Sequence, residues 1–298
     1  MQCIFCHKES YTSKSVEHII PESLGNNMHV LPKGYVCDEC NNYFSIKIEK
    51  KLLAQPYFVS MRFRNEILTK KGKLVKERMI FPGALKSAEV VLQKTDNGFI
   101  ASFNDEELYE CIKEGRTKTM IEPYISEPEY PNTTMSRFLA KCAYEFFLYN
   151  MRENNYNLCV QELLSKGNNV LKTLRKYARY GKGKYWQYSQ RRIYSEGHCM
   201  FNPNEGKFYE LLHEMMFFTK EYVRFPNGNI EAEIYFVLAI SGIEYAICIS
   251  DPDISEYIKW LKVHNGHSPL EDDNEGSPSF SLSDVSSILI RKDDDRIH

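Results

Sequence analysis

What the sequence lacks narrows its function before any motif is read. No apolar run reaches the ~18 residues that a membrane-spanning helix requires, which argues against a membrane partner. Positive charge is not in excess: 38 Lys and Arg stand against 40 Asp and Glu, a net charge of −2. Affinity for a polyanion must therefore be concentrated locally. The opening Met-Gln-Cys-Ile-Phe-Cys has no signal-peptide pattern. Gly181-Lys182-Gly183-Lys184 is too short for a phosphate-binding P-loop. His213-Glu214 starts like a metalloprotease helix but meets Phe217 where a second His is needed. His264 and His267 have no Cys nearby and no ligand spacing, so both read as surface residues.

What is there is enough chain for two domains, 298 residues of which 43% are hydrophobic. Four of the nine cysteines sit in two short pairs, Cys3-Ile-Phe-Cys6 and Cys37-Asp-Glu-Cys40, with 30 residues between them. Each Cys-x-x-Cys knuckle places two thiolates on one face, and two knuckles make a tetrahedral four-cysteine zinc site. A shell of four thiolates leaves no open position on the ion, so this zinc is structural. The remaining Cys111, Cys142, Cys159, Cys199 and Cys248 are isolated in sequence and read as core fillers. Thiolate ligands beside unpaired cysteines fit a reducing, cytoplasmic setting.

Between the knuckles lies Glu17-His18-Ile19-Ile20-Pro21, and directly after the second comes Asn41-Asn42. This order resembles the HNH endonucleases over about residues 3 to 52. The resemblance implies a ββα-metal finger in which His18 is the general base that takes a proton from the attacking water. It makes Glu17 and Asn41 the protein ligands of a catalytic Mg²⁺ or Mn²⁺. The chemistry is coherent in its own right. Imidazole ordinarily titrates near neutrality, as a general base requires. A hard cation neutralises charge on the phosphoryl and leaving oxygens, and two oxygen ligands leave most of a Mg²⁺ shell to water and phosphate. Two positions depart from the family pattern. The middle Asn falls on Pro32, which keeps a carbonyl but loses the side-chain tie, with Asn26 or Asn27 as substitutes. A further His seen in some members is Ser45 here.

The remaining sequence reads in order. Asp38 to about Leu53 is the finger's helix, with Phe44, Ile48 and Leu52 as its buried stripe and Lys47, Lys50 and Lys51 off it, facing a phosphate backbone. Tyr57–Phe63 and Leu74–Phe81 read as strands flanking Lys70-Lys71-Gly72-Lys73, a hairpin turn in a stretch with seven bases and two acids. Glu89–Gln93 and Phe99–Phe103 read as a second hairpin, followed by a short helix capped by Asn104. Residues 122–131 carry three prolines and read as a linker. A helix follows through Met135, Phe138, Leu139, Cys142, Ala143 and Phe146, then a second over Asn157–Tyr180, broken at Gly167. Lys172–Arg192 holds eight Lys or Arg and no acid. Arg175, Lys176, Arg179, Lys182 and Lys184 would contact phosphates there, and Tyr185 and Trp186 would stack on bases. Residues 207–250 read mainly as strands, with a central hairpin at Ser241-Gly242, and Ile254–Val263 as a last helix.

The fold class expected is α+β: a ββα-metal zinc finger over residues 1–54, then a mixed helix and antiparallel-sheet region. Residues 55–130 form the basic hairpin and linker, 131–264 the C-terminal α+β domain, and 265–298 a flexible acidic tail. The resemblance implies a metal-dependent endonuclease acting on DNA, with RNA left open beside it, and a setting in host defence or a mobile element. The alternative is a zinc-dependent nucleic-acid-binding module without catalysis. The C-terminal domain is a candidate site for a protein or regulatory partner; oligomeric state is not legible.

Overall fold

The computed structural model describes residues 1–95, 98–153, 169–195, 198–202, 207–210, 212–220, 223–224, 230–231, 233–273 and 279–280. It is a mixture of helices and antiparallel sheets, as the sequence leads one to expect. Among the described residues no helix is long and apolar enough to cross a membrane. The chain divides into two units, and neither is one run of sequence. One comprises Met1–Ile19, Val30–Asn42 and the described residues of Pro131–His298; the other comprises Ile20–His29 and Tyr43–Tyr130.

The first unit is built on a four-stranded antiparallel sheet and two long helices. Its central strands are β12 (Ile234–Ile240) and β13 (Ile243–Cys248), flanked by β9 (His213–Thr219) and β6 (Ser189–Arg192). Nearly every residue of β12 and β13 is buried, because both faces of the hairpin are covered. On one face Phe146 of α5 (Thr133–Glu153) packs its ring on those of Phe217 and Phe236. On the other, Tyr257 and Leu261 of α7 (Ser255–Val263) close a core with Tyr235, Val237 and Cys248. The hairpin turns at Ser241 and Gly242, φ 47° and 82°, the left-handed pair of a two-residue turn. A Cβ at Gly242 would lie 2.4 Å from the Tyr194 carbonyl oxygen. The helix α6 (Asn169–Tyr180) packs along α5, with Ser136 Oγ and Tyr177 Oη 2.8 Å apart. Strands β10 (Val223–Arg224) and β11 (Ile230–Glu231) make a separate short ribbon.

Part of the expected tail belongs to this unit. Ser268 and Leu270 are buried, Leu270 lies in the core under α7, and α8 spans Pro269–Asp273. Strand β14 (Ser279–Phe280) pairs with β7 (Cys199–Asn202), which pairs in turn with β8 (Lys207–Glu210). The tail reading therefore fails for these segments: composition is polar there, but Leu270 supplies an anchor and Ser268 supplies polar pairing to buried Glu244. Residues 281–298, Cys159 and the expected break at Gly167 lie outside the described residues. Cys111, Cys142, Cys199 and Cys248 are buried, as core fillers should be.

The second unit contains a correction of element type. Residues 57–63, read as a strand, form α3 (Pro56–Arg64). Aromatic and apolar density suggested β, but Pro56 occupies the first helical turn, where its missing N–H costs nothing. Tyr57, Phe58 and Met61 are buried together, a helical spacing that strand alternation cannot provide. The Lys70–Lys73 turn thus joins a helix to β3 (Glu77–Phe81) rather than two strands. Strands β3, β4 (Lys86–Thr95) and β5 (Gly98–Phe103) form an antiparallel sheet over a core of Phe63, Met79, Phe81, Val90 and Leu108. The following helix, α4 (Glu106–Lys113), is capped by Asp105, whose carboxylate accepts from the Leu108 amide at 2.8 Å, one residue later than expected. The finger's helix is α1 (Asp38–Phe44), a π-helical stretch (Ser45–Glu49) and α2 (Lys50–Leu53). Phe44, Ile48 and Leu52 are its buried stripe.

Candidate active site

Two knuckles bring the four expected thiols together. All four sulfurs of Cys3, Cys6, Cys37 and Cys40 lie within 4.8 Å of one another, and Cys6 and Cys37 are 3.6 Å apart. Zinc–sulfur bonds of about 2.3 Å in a tetrahedron place sulfurs roughly 3.8 Å apart, so the donor set fits zinc. Among the described residues this is the one group of three or more His, Cys, Asp or Glu side chains that converges in this way. The knuckle backbones support the charge, with the Cys37 amide donating to Cys3 Sγ at 3.3 Å and the Cys40 amide to Cys37 Sγ at 3.4 Å. A hydrogen bond from Cys40 lowers the Cys3 thiol, and the same shared proton together with burial pushes Cys40 up. Four thiolates this close repel one another, and a divalent cation removes that conflict.

The acid–His pair sits on a two-stranded ribbon between the knuckles. β1 is Glu17–His18 and β2 is Val30–Leu31, paired Glu17 to Leu31 and His18 to Val30. Because successive strand residues face opposite sides, Glu17 is buried at 5% exposure while His18 is half-buried. Asn41 lies in the first turns of α1, half-buried, and its Nδ2 donates to the Val16 carbonyl at 3.0 Å. The turn before β1 is fixed by Asp38, whose carboxylate accepts from the Ser15 hydroxyl at 2.5 Å and from the Ser15 amide at 2.8 Å. Glu17, His18 and Asn41 are thereby tied to one ribbon and one helix start.

What lies behind Glu17 has no direct sign in the sequence. Lys141, on α5 and fully buried, places its Nζ 2.6 Å from Glu17 Oε1 and 3.2 Å from Glu145 Oε2. The same ammonium donates to the carbonyls of His18 at 3.1 Å and Ile19 at 3.3 Å. Cys142 Sγ also reaches the Ile19 carbonyl, at 3.0 Å. Helix α5 thus grips the chain on both sides of the histidine. One indirect signal exists: Lys141 and Glu145 form an i,i+4 charged pair inside an otherwise apolar helical stripe.

Of Asn26 and Asn27, the two candidates to replace the asparagine missing at Pro32, Asn26 is the one held in a hydrogen-bond network. It is fully buried, its Nδ2 donates to the carbonyls of Ile20 at 2.8 Å and His29 at 3.2 Å, and its Oδ1 accepts from the Met28 and His29 amides. One side chain therefore ties the loop that separates the two ribbon strands. Asn27 is exposed, and the Pro32 carbonyl accepts from the Tyr35 amide at 3.1 Å.

The Lys172–Arg192 segment divides by burial. Arg179 is buried, its Nε donating to Cys40 Sγ at 3.2 Å, with Nη2 3.5 Å from Glu39. Arg175 donates to the Phe5 carbonyl at 2.6 Å. These two arginines hold the knuckles from α6. Trp186 is 3% exposed, and its indole N–H donates to the Cys248 carbonyl at 2.6 Å. Its stacking on bases is corrected by this burial: an indole walled in by the core presents no face to a nucleotide. Lys176, Lys182, Lys184 and Tyr185 are exposed, as are Lys47, Lys50 and Lys51 on the finger's helix.

The fold and these residues define a four-thiolate finger: a short ribbon carrying an acid and a histidine, with a helix start carrying an asparagine. Residues 3–56 match the family described as HNH endonuclease. The match is confined to this N-terminal segment, which is thus similar to a domain of that family. No curated protein and no solved structure matches the chain.

Proposed function

We propose that this protein is a metal-dependent endonuclease that hydrolyses phosphodiester bonds in DNA, with His18 as general base. One observation carries the reading: the acid–His ribbon and Asn41 are tied together beside a four-thiolate cluster that fits zinc, inside the segment matching the HNH endonucleases. Glu17 and Asn41 would hold the catalytic Mg²⁺ or Mn²⁺. When bound, that ion supplies charge neutralisation at the phosphoryl and leaving oxygens. The half-buried His18 accepts the proton of the attacking water, and β-pairing with Val30 fixes its backbone. Lys141 anchors that backbone from behind through the His18 and Ile19 carbonyls. Exposed Lys176, Lys182, Lys184 and Tyr185 would meet substrate phosphates and bases.

A second reading, a zinc-dependent nucleic-acid-binding module without catalysis, is favoured by one fact. Glu17 is nearly buried and already ion-paired to Lys141. Plasmid cleavage with Mg²⁺ or Mn²⁺, with and without chelator, separates the two. Wild type should nick and linearise DNA, and chelator should abolish this. His18→Ala should lower the rate by ~10²–10⁴-fold at unchanged zinc content. Binding without cleavage under every divalent ion would establish the second reading.

A further inference from the structure

A groove of about 750 Å³ in the second unit lies away from the zinc cluster in sequence and is lined by five lysines and one arginine. Its rim is Lys50 from α2 and Lys70, Lys71, Lys73 and Lys76 from the segment before β3. Lys50, Lys70, Lys71 and Lys73 are exposed. Lys70 is tied back to Ser45 Oγ at 2.9 Å, so the tight turn closes on the middle of the finger's helix, where its π-helical stretch begins. Gly72, φ 68°, has open space around its Cβ position, so the turn is shaped by its left-handed backbone and not by packing.

The floor differs from a solvated lysine patch. Arg62 of α3 lines the groove at 7% exposure, and its Nε has no hydrogen-bond partner among the described residues. Ser23 lines it too, at 4% exposure, with its hydroxyl likewise unpartnered. Burial lowers the Arg62 pKa, and no described acid, Glu49 of the lining included, offsets that effect. A buried guanidinium without a counter-charge is costly, and folded proteins ordinarily pair such groups. An anion that brings several oxygens would suit such a group, since the planar fork of an arginine matches it in two parallel hydrogen bonds.

We propose that this groove is a phosphate-binding subsite for the backbone of the substrate nucleic acid, with Arg62 and Ser23 gripping one phosphodiester and Lys50, Lys71 and Lys73 its neighbours. The identity of the anion as nucleic acid rests on the nuclease reading; the groove itself does not. Lys50, Lys71 and Lys73 form no ion pair among the described residues, so they are available to an external polyanion. Because phosphate contacts position without specifying, the subsite should act on all sequences alike.

The test uses full-length His18→Ala protein, so that cleavage does not enter, and a labelled duplex of about 20 base pairs followed by fluorescence anisotropy against salt. Lys71→Ala/Lys73→Ala, which changes exposed side chains only, should lower the slope of log affinity against log salt by ~0.9 for each phosphate released. Arg62→Met should weaken binding about tenfold, the scale of one charge-assisted hydrogen bond. Its melting temperature should not fall, because it removes an uncompensated buried cation. Unchanged slope and affinity in both variants would overturn the subsite, even if the wild-type protein cuts DNA. If duplex binding depends on the groove but wild type cuts nothing, the nuclease reading falls and the subsite stands. If inorganic phosphate shifts the melting temperature through Arg62 while the duplex does not bind, the assignment to a nucleic-acid backbone is overturned.

Discussion

At the scale of single residues, Lys141 is a fully buried cation. It lies between two carboxylates, and removing it takes away the cation that Glu17 and Glu145 share. Lys141→Met should therefore destabilise the protein by ~3–5 kcal/mol, the scale for breaking a buried pair from one side. Urea unfolding measures this, and a loss under ~1 kcal/mol would show that the carboxylates find other partners. Asp38 gives a pH signature. The Ser15 hydroxyl and the Ser15 and Lys14 amides hold its carboxyl below the usual range. A depressed carboxyl stabilises the fold above the unfolded pKa of about 4, and that gain disappears as pH falls through the lower folded value. Asp38→Ala should thus be less stable than wild type near pH 6 and converge with it near about pH 2. Parallel melting curves at both pH values, with a constant gap, would refute the assignment.

At the scale of elements, the central hairpin shows which constraints are strict. A side chain at Gly242 would both face a left-handed backbone and meet the Tyr194 carbonyl at 2.4 Å. Gly242→Ala should cost ~1–3 kcal/mol, with the register of Ile240 opposite Ile243 disturbed first. Thermal unfolding measures the cost, and an unchanged midpoint would show that the Tyr194 backbone can yield. Trp186 makes a second element-level prediction. It joins the end of α6 to the sheet, packing on Tyr177 at 5.9 Å between ring centroids and bonding Cys248. Trp186→Ala should lower stability by ~3–5 kcal/mol. Binding of single strands, corrected for the folded fraction, should be unchanged. A selective loss of single-strand affinity in a fully folded variant would return Trp186 to the binding surface.

At the scale of the whole molecule, a metal ion held by the four thiols would be linked to folding. The thiolates come from two knuckles 30 residues apart in sequence, and α6 reaches them through Arg175 and Arg179. One zinc per chain should survive gel filtration, and Cys37→Ser should lose both the metal and the cooperative unfolding transition of the unit that contains it. Metal analysis finding no zinc in folded wild type would exclude this. The consequences should extend beyond the finger, because Met1–Ile19 and Val30–Asn42 share their unit with the C-terminal helices and sheet.

The sequence by itself determined what is written in spacing. Two Cys-x-x-Cys pairs, an acid–His dipeptide and a following Asn are local patterns, and the thiols do converge while the ribbon and helix start carry the rest. The stripe of Phe44, Ile48 and Leu52 was legible from its helical spacing, and the β12–β13 hairpin from two nearly continuous apolar runs on either side of Ser241-Gly242, as burial on both faces demands. Tyr57–Phe63 was not, since a short stretch dense in apolar and aromatic residues suits a buried helix as well as a strand. Only the burial of Tyr57, Phe58 and Met61 together decides between them. The tertiary structure alone decided which charges are buried and paired and which stay exposed. Arg179 and Lys141 are cations in the sequence like Lys176 and Lys182, yet the first two are consumed by Cys40 and Glu17 inside the fold. Burial of a charge depends on partners more than a hundred residues away, and no local pattern carries that distance.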